Sequence, residues 1–220
     1  VNPIGGTLLS TSHAVTQSVV KQLLEARIPL DRLVILDRWQ EGLEEARFTP
    51  SAHPEITFLS TECYDADKSY INSDGSFYSE DRIDKAHSFY ADIEGEYDAY
   101  TMPYMVNGGK YSYFTKICTE QVTKIINIPV LKNAGASITA CMKNLAFCSI
   151  TNTGSLEQEL GDETCAFVFT FPPFRDQVVL DILGGFFGVF GGGPAANPQF
   201  ICRYNTLLLG TDPVAVDRIA

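Results

Sequence analysis

The sequence predicts a three-layer α/β fold with a mostly parallel sheet and an acidic, hairpin-containing excursion. Three observations carry this reading. Short continuous apolar runs, such as Leu33 to Leu36 and Ile125 to Leu131, suit strands covered on both faces. Segments of helical period alternate with those runs, the pattern of a layered α/β domain. From about residue 62 to 110 both rhythms stop, and the chain becomes rich in Asp, Ser, Gly and Tyr.

Thr11-Ser12 is a helix cap, with Val15, Val19, Leu23 and Ala26 at helical spacing behind it and a helix expected to about Arg27. Ile28 to Asp31 makes a short loop, and Leu33 to Leu36 a strand ending in Asp37-Arg38. A short helix from Glu41 to Arg47 and a strand from Ile56 to Leu59 follow. Asn72-Ser-Asp-Gly75, between two aromatic runs, reads as a hairpin turn inside the excursion. Tyr113 to Thr123 is expected to be helical and to deliver the chain into the Ile125–Leu131 strand. Ser137 to Phe147 is expected to form the next helix, with Ile138, Cys141, Met142 and Leu145 on one face. Val178 to Leu183 is an apolar run interrupted by Asp181, followed by a glycine-rich loop from Gly184 to Gly193 and a strand at Thr206 to Leu209. Asp212-Pro213 then opens a helix, with Pro at its first position. With no repeat or low-complexity linker, residues 1–220 are expected to form a single domain that is incomplete at both ends, with an insertion or flap at about 62–110.

The chain is 45% apolar and 20% charged, which suits a globular fold. No apolar run approaches the ~20 residues of a membrane helix, so no membrane span is expected. A net charge of −11 argues against a nucleic-acid partner. Most of the acid is local, because Glu62 to Asp98 holds eleven acids against three bases. The six cysteines lack a Cys-x-x-Cys pair and the three histidines lie far apart, so neither set predicts a metal centre. The Asp65-x-Asp67-x-Ser69 run fails as a calcium loop, with Tyr70 and Ser76 where glycine and glutamate are needed.

Chemistry concentrates where apolar strands end in charge. In a parallel sheet such ends lie on one edge, so Asp37, Lys132, Asp181 and Asp212 are expected to converge from distant parts of the chain. Lys132 and Asp181 are the expected catalytic pair: a strand-end lysine that can bind an anion or act as base once burial lowers its pKa, and a carboxylate inside an apolar strand that must be paired or protonated. Asn133, Lys143, Asn144, Asn152 and Thr153 are placed to add hydrogen bonds or charge to the same ligand. Capping and turn formation explain Asp212, Asn152 and Thr153 as well. Asp217 is read as a packing or surface group. The Gly184–Gly193 loop lacks the strand–Gly-x-Gly-x-x-Gly–helix setting of a nucleotide site.

Three stretches, in order, carry a family likeness: Asn2-Pro-Ile-Gly-Gly with Ser10-Thr11; Ile-Asn-Ile-Pro-Val-Leu-Lys132 with Met-Lys143-Asn144-Leu; and Gly-Gly-Gly-Pro194 with Thr-Asp212-Pro-Val-Ala-Val-Asp217. Together they resemble the bacterial and archaeal domain of unknown function 362 family. What the resemblance implies is limited, because the family is defined by lacking an assigned function. Some relatives append a ferredoxin-like cluster segment, and some are exported by a twin-arginine signal. Relatives often carry a histidine soon after the first lysine, where this chain has Ala134-Gly135, and a basic residue after Asn-Thr-Gly154, where it has Ser155.

Two functions of different class are consistent with these features. The first is a domain that takes a small-molecule ligand, an anionic substrate or cofactor of unassigned identity, at the carboxyl ends of its strands, with redox chemistry as its specific form. The alternative is a non-catalytic binding or assembly module whose protein partner docks on residues 62–98, where seven aromatics accompany the acids. A metal held by Asp and Asn oxygens is a third reading.

Overall fold

The computed structural model describes residues 1–51, 54–62, 82–90, 111–134, 138–151, 153 and 161–220. The hairpin turn at 72–75, the Asp65–Ser69 run, Asn152 and most of the 62–98 surface lie outside the described residues. Mixed helices and strands with parallel pairings make the chain an α/β protein, the expected class.

After a single helical turn, α1 (Gly6–Leu9), the first long helix α2 spans His13–Glu25. Strand β1 (Val34–Trp39) then pairs in parallel with β2 (Thr57–Glu62) through the short helix α3 (Gln40–Glu45). Ile35, Leu43, Ala46, Phe48 and Ile56 form the core of this unit, with Val20 of α2 packed against it. Strand β3 (Ile83–Tyr90), within the excursion, and β4 (Tyr111–Thr115), just after it, form a separate antiparallel pair.

The helix expected at Tyr113–Thr123 is not formed. Tyr-Ser-Tyr-Phe-Thr is rich in aromatic and β-branched residues, which suit a strand, and it pairs with β3 as β4. Beyond it the chain makes one π-turn, Ile117–Gln121, closed by the Val122 amide on the Ile117 carbonyl at 3.0 Å. The expected Ile125–Leu131 strand is divided into β5 (Ile125–Asn127) and β6 (Val130–Asn133). Pro129 lacks an amide to continue the ladder, yet its carbonyl takes the Gly184 amide at 2.9 Å. The helix expected from Ser137 begins only at Cys141, because Ile138–Thr139 are used as strand β7 against β6. Helix α4 spans Cys141–Ser149, and α5 (Gly161–Thr170) and α6 (Pro172–Gln177) come next.

The centre of the main sheet is β8 (Val178–Val189), twelve residues long. On one side it takes β5 and then β6, both parallel. On the other it takes β9 (Ile201–Cys202) and β10 (Thr206–Gly210), both antiparallel. The sheet is therefore parallel at its heart and antiparallel at its margins. The links from β8 to β9 (residues 190–200) and from β9 to β10 (residues 203–205) are each shorter than a parallel crossover needs, and the chain returns antiparallel to β8 both times. Helix α7 (Pro213–Ile219) closes the described chain.

The expected glycine-rich loop is largely strand. Gly184, Gly185 and Gly188 lie in β8, where strands crowd both of its edges. A Cβ at Gly188 would sit 2.5 Å from the Tyr204 ring and 2.8 Å from the Leu131 carbonyl. The missing side chains thus admit neighbouring backbone rather than a phosphate. Gly188→Ala is expected to lower stability by about 1–3 kcal/mol, the usual cost of overpacking, measured as a shift in the urea midpoint. An unchanged midpoint would mean that Tyr204 swings aside freely.

Candidate functional site: a buried amide relay

Each side chain at the site is delivered by a different element. Asn127 ends β5, Lys132 lies in β6, Asp181 in β8, and Asn144 near the start of α4. Asn2 is placed by the turn before α1, where its amide bonds to Thr11 Oγ1 at 2.8 Å and its carbonyl accepts the Thr11 amide at 2.8 Å. Thr11 Oγ1 in turn donates to the Ile128 carbonyl at 2.5 Å. The expected cap at Thr11-Ser12 thus starts α2, with Ser12 as the N-cap, but the Thr11 hydroxyl serves the strand junction instead.

These side chains form one continuous run. Lys132 Nζ donates to Asn2 Oδ1 at 2.7 Å and also to the Ile4 carbonyl. Asn2 Nδ2 donates to Asn144 Oδ1 at 3.0 Å, Asn144 Nδ2 to Asn127 Oδ1 at 2.8 Å, and Asn127 Nδ2 to Asp181 Oδ1 at 2.7 Å. All bonds point the same way, from ammonium to carboxylate, so each amide dipole is polarised by both ends. Lys132 and Asp181 are each 0% exposed. They are not an ion pair, because three amides stand between them. Asp181 Oδ2 has no hydrogen-bond partner among the described residues.

Burial sets the electrostatics. It pulls the Lys132 ammonium down to about 7, against the opposing charge of Asp37. It pushes the Asp181 carboxyl up to about 6, with the bond from Asn127 opposing and the charge of Asp217 adding to the rise. Asp37 is also raised by burial, offset by the N-terminal amine and by its bond from the Trp39 amide. Its carboxylate accepts that amide at 3.2 Å and the Cys148 thiol at 3.2 Å. Burial raises both the Cys148 and Cys141 thiols, so they are protonated donors rather than nucleophiles.

Lys132, Asn144 and Asp181 are thus joined directly, with Asp37 close enough to act on Lys132 through its charge. Asn133 follows Lys132 in β6 and pairs with Ile138. A Cβ at Gly193 would collide with the Asn133 carbonyl oxygen, so the chain after β8 passes directly over this residue. Lys143 is buried on the first turn of α4. Thr153 is buried and accepts a hydrogen bond from Arg38, a fully buried guanidinium lying 5.0 Å from the Phe147 ring centre. Asp212 is exposed and caps α7, with its Oδ1 accepting from the amides of Val214 at 2.9 Å and Ala215 at 3.2 Å.

Four residues escaped the site reading. Asn127 was signalled by a polar side chain inside an apolar strand. Asn2 was part of the family motif but carried no chemistry of its own. Arg38 followed the strand-end Asp37. Asp217 was read as packing or surface, but its carboxylate accepts the Cys141 amide at 2.7 Å and the Met142 amide at 2.8 Å, capping α4 from the other end of the chain. The only sequence signal was that Ala140, the N-cap of α4, has no capping side chain.

Among the described residues, no helix is long and apolar enough to cross a membrane. Nor does any group of three or more His, Cys, Asp or Glu among them form a metal site.

Two outcomes test the relay. Asn144→Ala would strand Asn2 Nδ2 and Asn127 Oδ1 without partners, and is expected to cost about 2–4 kcal/mol in a urea melt. Asp181→Asn tests the electrostatics. The folded-state pKa of Asp181 is raised from 3.8 to about 6, so its contribution to stability is present below pH 3.8 and lost as pH rises through 6. That of Lys132 is lowered from 10.5 to about 7, so its penalty is complete below 7 and relieved as pH rises toward 10.5. Both penalties therefore act between about pH 6 and 7. Asp181→Asn is expected to stabilise the chain by about 1–2 kcal/mol at pH 7 and to leave it unchanged near pH 3.5. A destabilised variant at pH 7 would show that the ionised carboxylate is favourable.

No curated protein and no solved structure matches the chain. The sequence model of one family, described as a domain of unknown function (DUF362), matches residues 91–220. That stretch is more than half of the chain and contains β4 to β10, the Lys132, Lys143-Asn144 and Asp212–Asp217 motifs, and all of the relay except Asn2. The chain belongs to the domain of unknown function 362 family.

Proposed function

We propose that this domain binds a small anionic ligand at the carboxyl end of β5, in the cleft between the start of α2 and the β9–β10 turn. The carrying observation is that Thr11, in the cleft wall, anchors Asn2, which accepts a hydrogen bond from Lys132, a lysine whose burial pulls its ammonium down to about 7. That cleft has a volume of about 550 Å³ and is bounded by Ser10, Thr11, Ser12, Ile128, Arg203 and Asn205 among others. Thr11 belongs both to this wall and to the Asn2 end of the relay. Arg203, braced 4.9 Å from the Phe187 ring centre, supplies the exposed cation, and the hydroxyls of Ser10 and Ser12 supply hydrogen bonds.

In this reading Arg203 holds the anion and Lys132 responds to it. An anion near the cleft favours the charged form of Lys132, so binding near pH 7.5 takes up protons. Asn2, Asn144 and Asn127 polarise together when that charge appears, and Asp181 is the far acceptor. A redox version of the same reading places a cofactor's anionic group in this cleft.

The test is calorimetric titration of inorganic phosphate, sulfate, oxalate and succinate in buffers of different ionisation enthalpy. At least one dianion is expected to bind with proton uptake. Arg203→Ala should weaken binding by about tenfold or more, roughly 1.4 kcal/mol, and Lys132→Met should abolish the proton uptake. Absence of binding by all four anions, or binding indifferent to Arg203, would defeat the reading.

A further inference from the structure

The cleft that Arg203 borders is much larger than a bare anion. Its volume of about 550 Å³ corresponds to roughly eighteen water molecules at ~30 Å³ each, whereas inorganic phosphate displaces only a few. A cleft of this size suits a whole organic molecule. The anion is therefore one end of a bigger ligand, and the remaining walls say of what kind.

Those walls are apolar. Ile128 and Val130 line the cleft as buried side chains. Leu8 of α1 and Phe186 of β8 line it with 51% and 38% of their surface exposed. Leu9, the next residue of α1, is by contrast in the core at 1%. A leucine and a phenylalanine left open on one cleft form an apolar surface that gains by being covered.

Gly184 decides the shape of what covers it. It lies inside β8, with Val130 as its register partner on one side and Leu207 on the other, and it lines the cleft with backbone alone. Glycine inside a strand marks a place where another backbone or a ligand comes close. At Gly188 the neighbours are the Tyr204 ring and the Leu131 carbonyl, 2.5 and 2.8 Å from where a Cβ would lie. A Cβ at Gly184 would have one neighbour within 4 Å among the described residues, the Pro129 carbonyl oxygen at 3.3 Å. Packing therefore leaves room over Gly184 that it does not leave over Gly188. Side chains alternate across a strand, so Phe186 stands on the same face as the missing side chain. Bare backbone beside an aromatic ring suits a second flat ring, which is ordered there at less entropic cost than a flexible chain.

We propose that the cleft takes a phosphomonoester of a planar aromatic group, with the phosphate on Arg203 and the Ser10 and Ser12 hydroxyls and the ring over Gly184 against Leu8 and Phe186. The Ser12 hydroxyl makes no capping bond to α2 and is left to the ligand. A guanidinium fork and two hydroxyls match the three terminal oxygens of a phosphate better than the two of a carboxylate. The proposal deepens the anion reading of the same cleft and rests on it.

The experiment is calorimetric titration of phenyl phosphate, hexyl phosphate and inorganic phosphate at pH 7.5. Phenyl phosphate is expected to bind about 30-fold tighter than inorganic phosphate, with hexyl phosphate between them. Leu8→Ser and Phe186→Thr change exposed positions and keep the fold. Each should cut that advantage to about threefold or less and leave inorganic phosphate binding as it was. If phenyl phosphate has no advantage, or both variants retain it, the ring site is overturned while the anion site stands. Hexyl phosphate binding as tightly as phenyl phosphate overturns the preference for a planar group. Binding by none of the three also overturns the proposal, and the sulfate, oxalate and succinate titrations then decide the anion reading separately.

Discussion

Burying an ammonium and a carboxylate without letting them touch is the constraint on which the rest of this structure depends. Either charge alone in an apolar interior would be strongly unfavourable. Three asparagines resolve the problem by carrying the polarisation from Lys132 to Asp181, each amide accepting on one side and donating on the other. For that run to close, β5, β6, β8, α4 and the turn at Asn2 must all be in register. The polar network therefore specifies the assembly as much as it stabilises it, since a slip of one residue in β5 would turn Asn127 away from Asp181.

The same constraint explains the features around it. Thr11 gives up its capping role because Asn2 needs an anchor. Strand β5 stops at Asn127 and restarts after Pro129, which lets the Ile128 carbonyl turn to Thr11 instead of continuing the ladder. Asp37 stays in the interior at the end of β1, where its charge partly offsets the cost of keeping Lys132 protonated. Cys148 contributes a thiol donor to that carboxylate rather than a reactive sulfur.

Much of the fold was legible in the sequence. The apolar runs at 33–36 and 178–183, the α2 period and the Asp212-Pro213 start all mark real elements, because burial and capping leave local patterns. Failures came where a tertiary partner decided the outcome. Tyr113 to Thr115 became strand because β3 was available to pair, and the glycines of β8 became strand because Leu131 and Tyr204 needed to approach it closely. At the site, strand-end charge pointed to Asp37 and Lys132 and an acid within an apolar strand pointed to Asp181, and the structure buries all three. The connecting amides were not legible as such, since an asparagine in a turn or helix looks the same whether it faces solvent or another amide.

Asp217 has a mechanical meaning beyond its two hydrogen bonds. It ties the last helix of the chain to the first turn of α4, the helix that carries both Lys143 and Asn144. A single carboxylate thus holds the angle at which Asn144 meets Asn2 and Asn127, although Asn144 and Asp217 lie far apart in sequence. Helix α7 acts as a clasp: while it is seated, α4 cannot rotate about its axis without breaking its own cap. The precision of the central network therefore depends on a residue far from it in sequence, and the geometry at Asn144 is tied to the seating of α7.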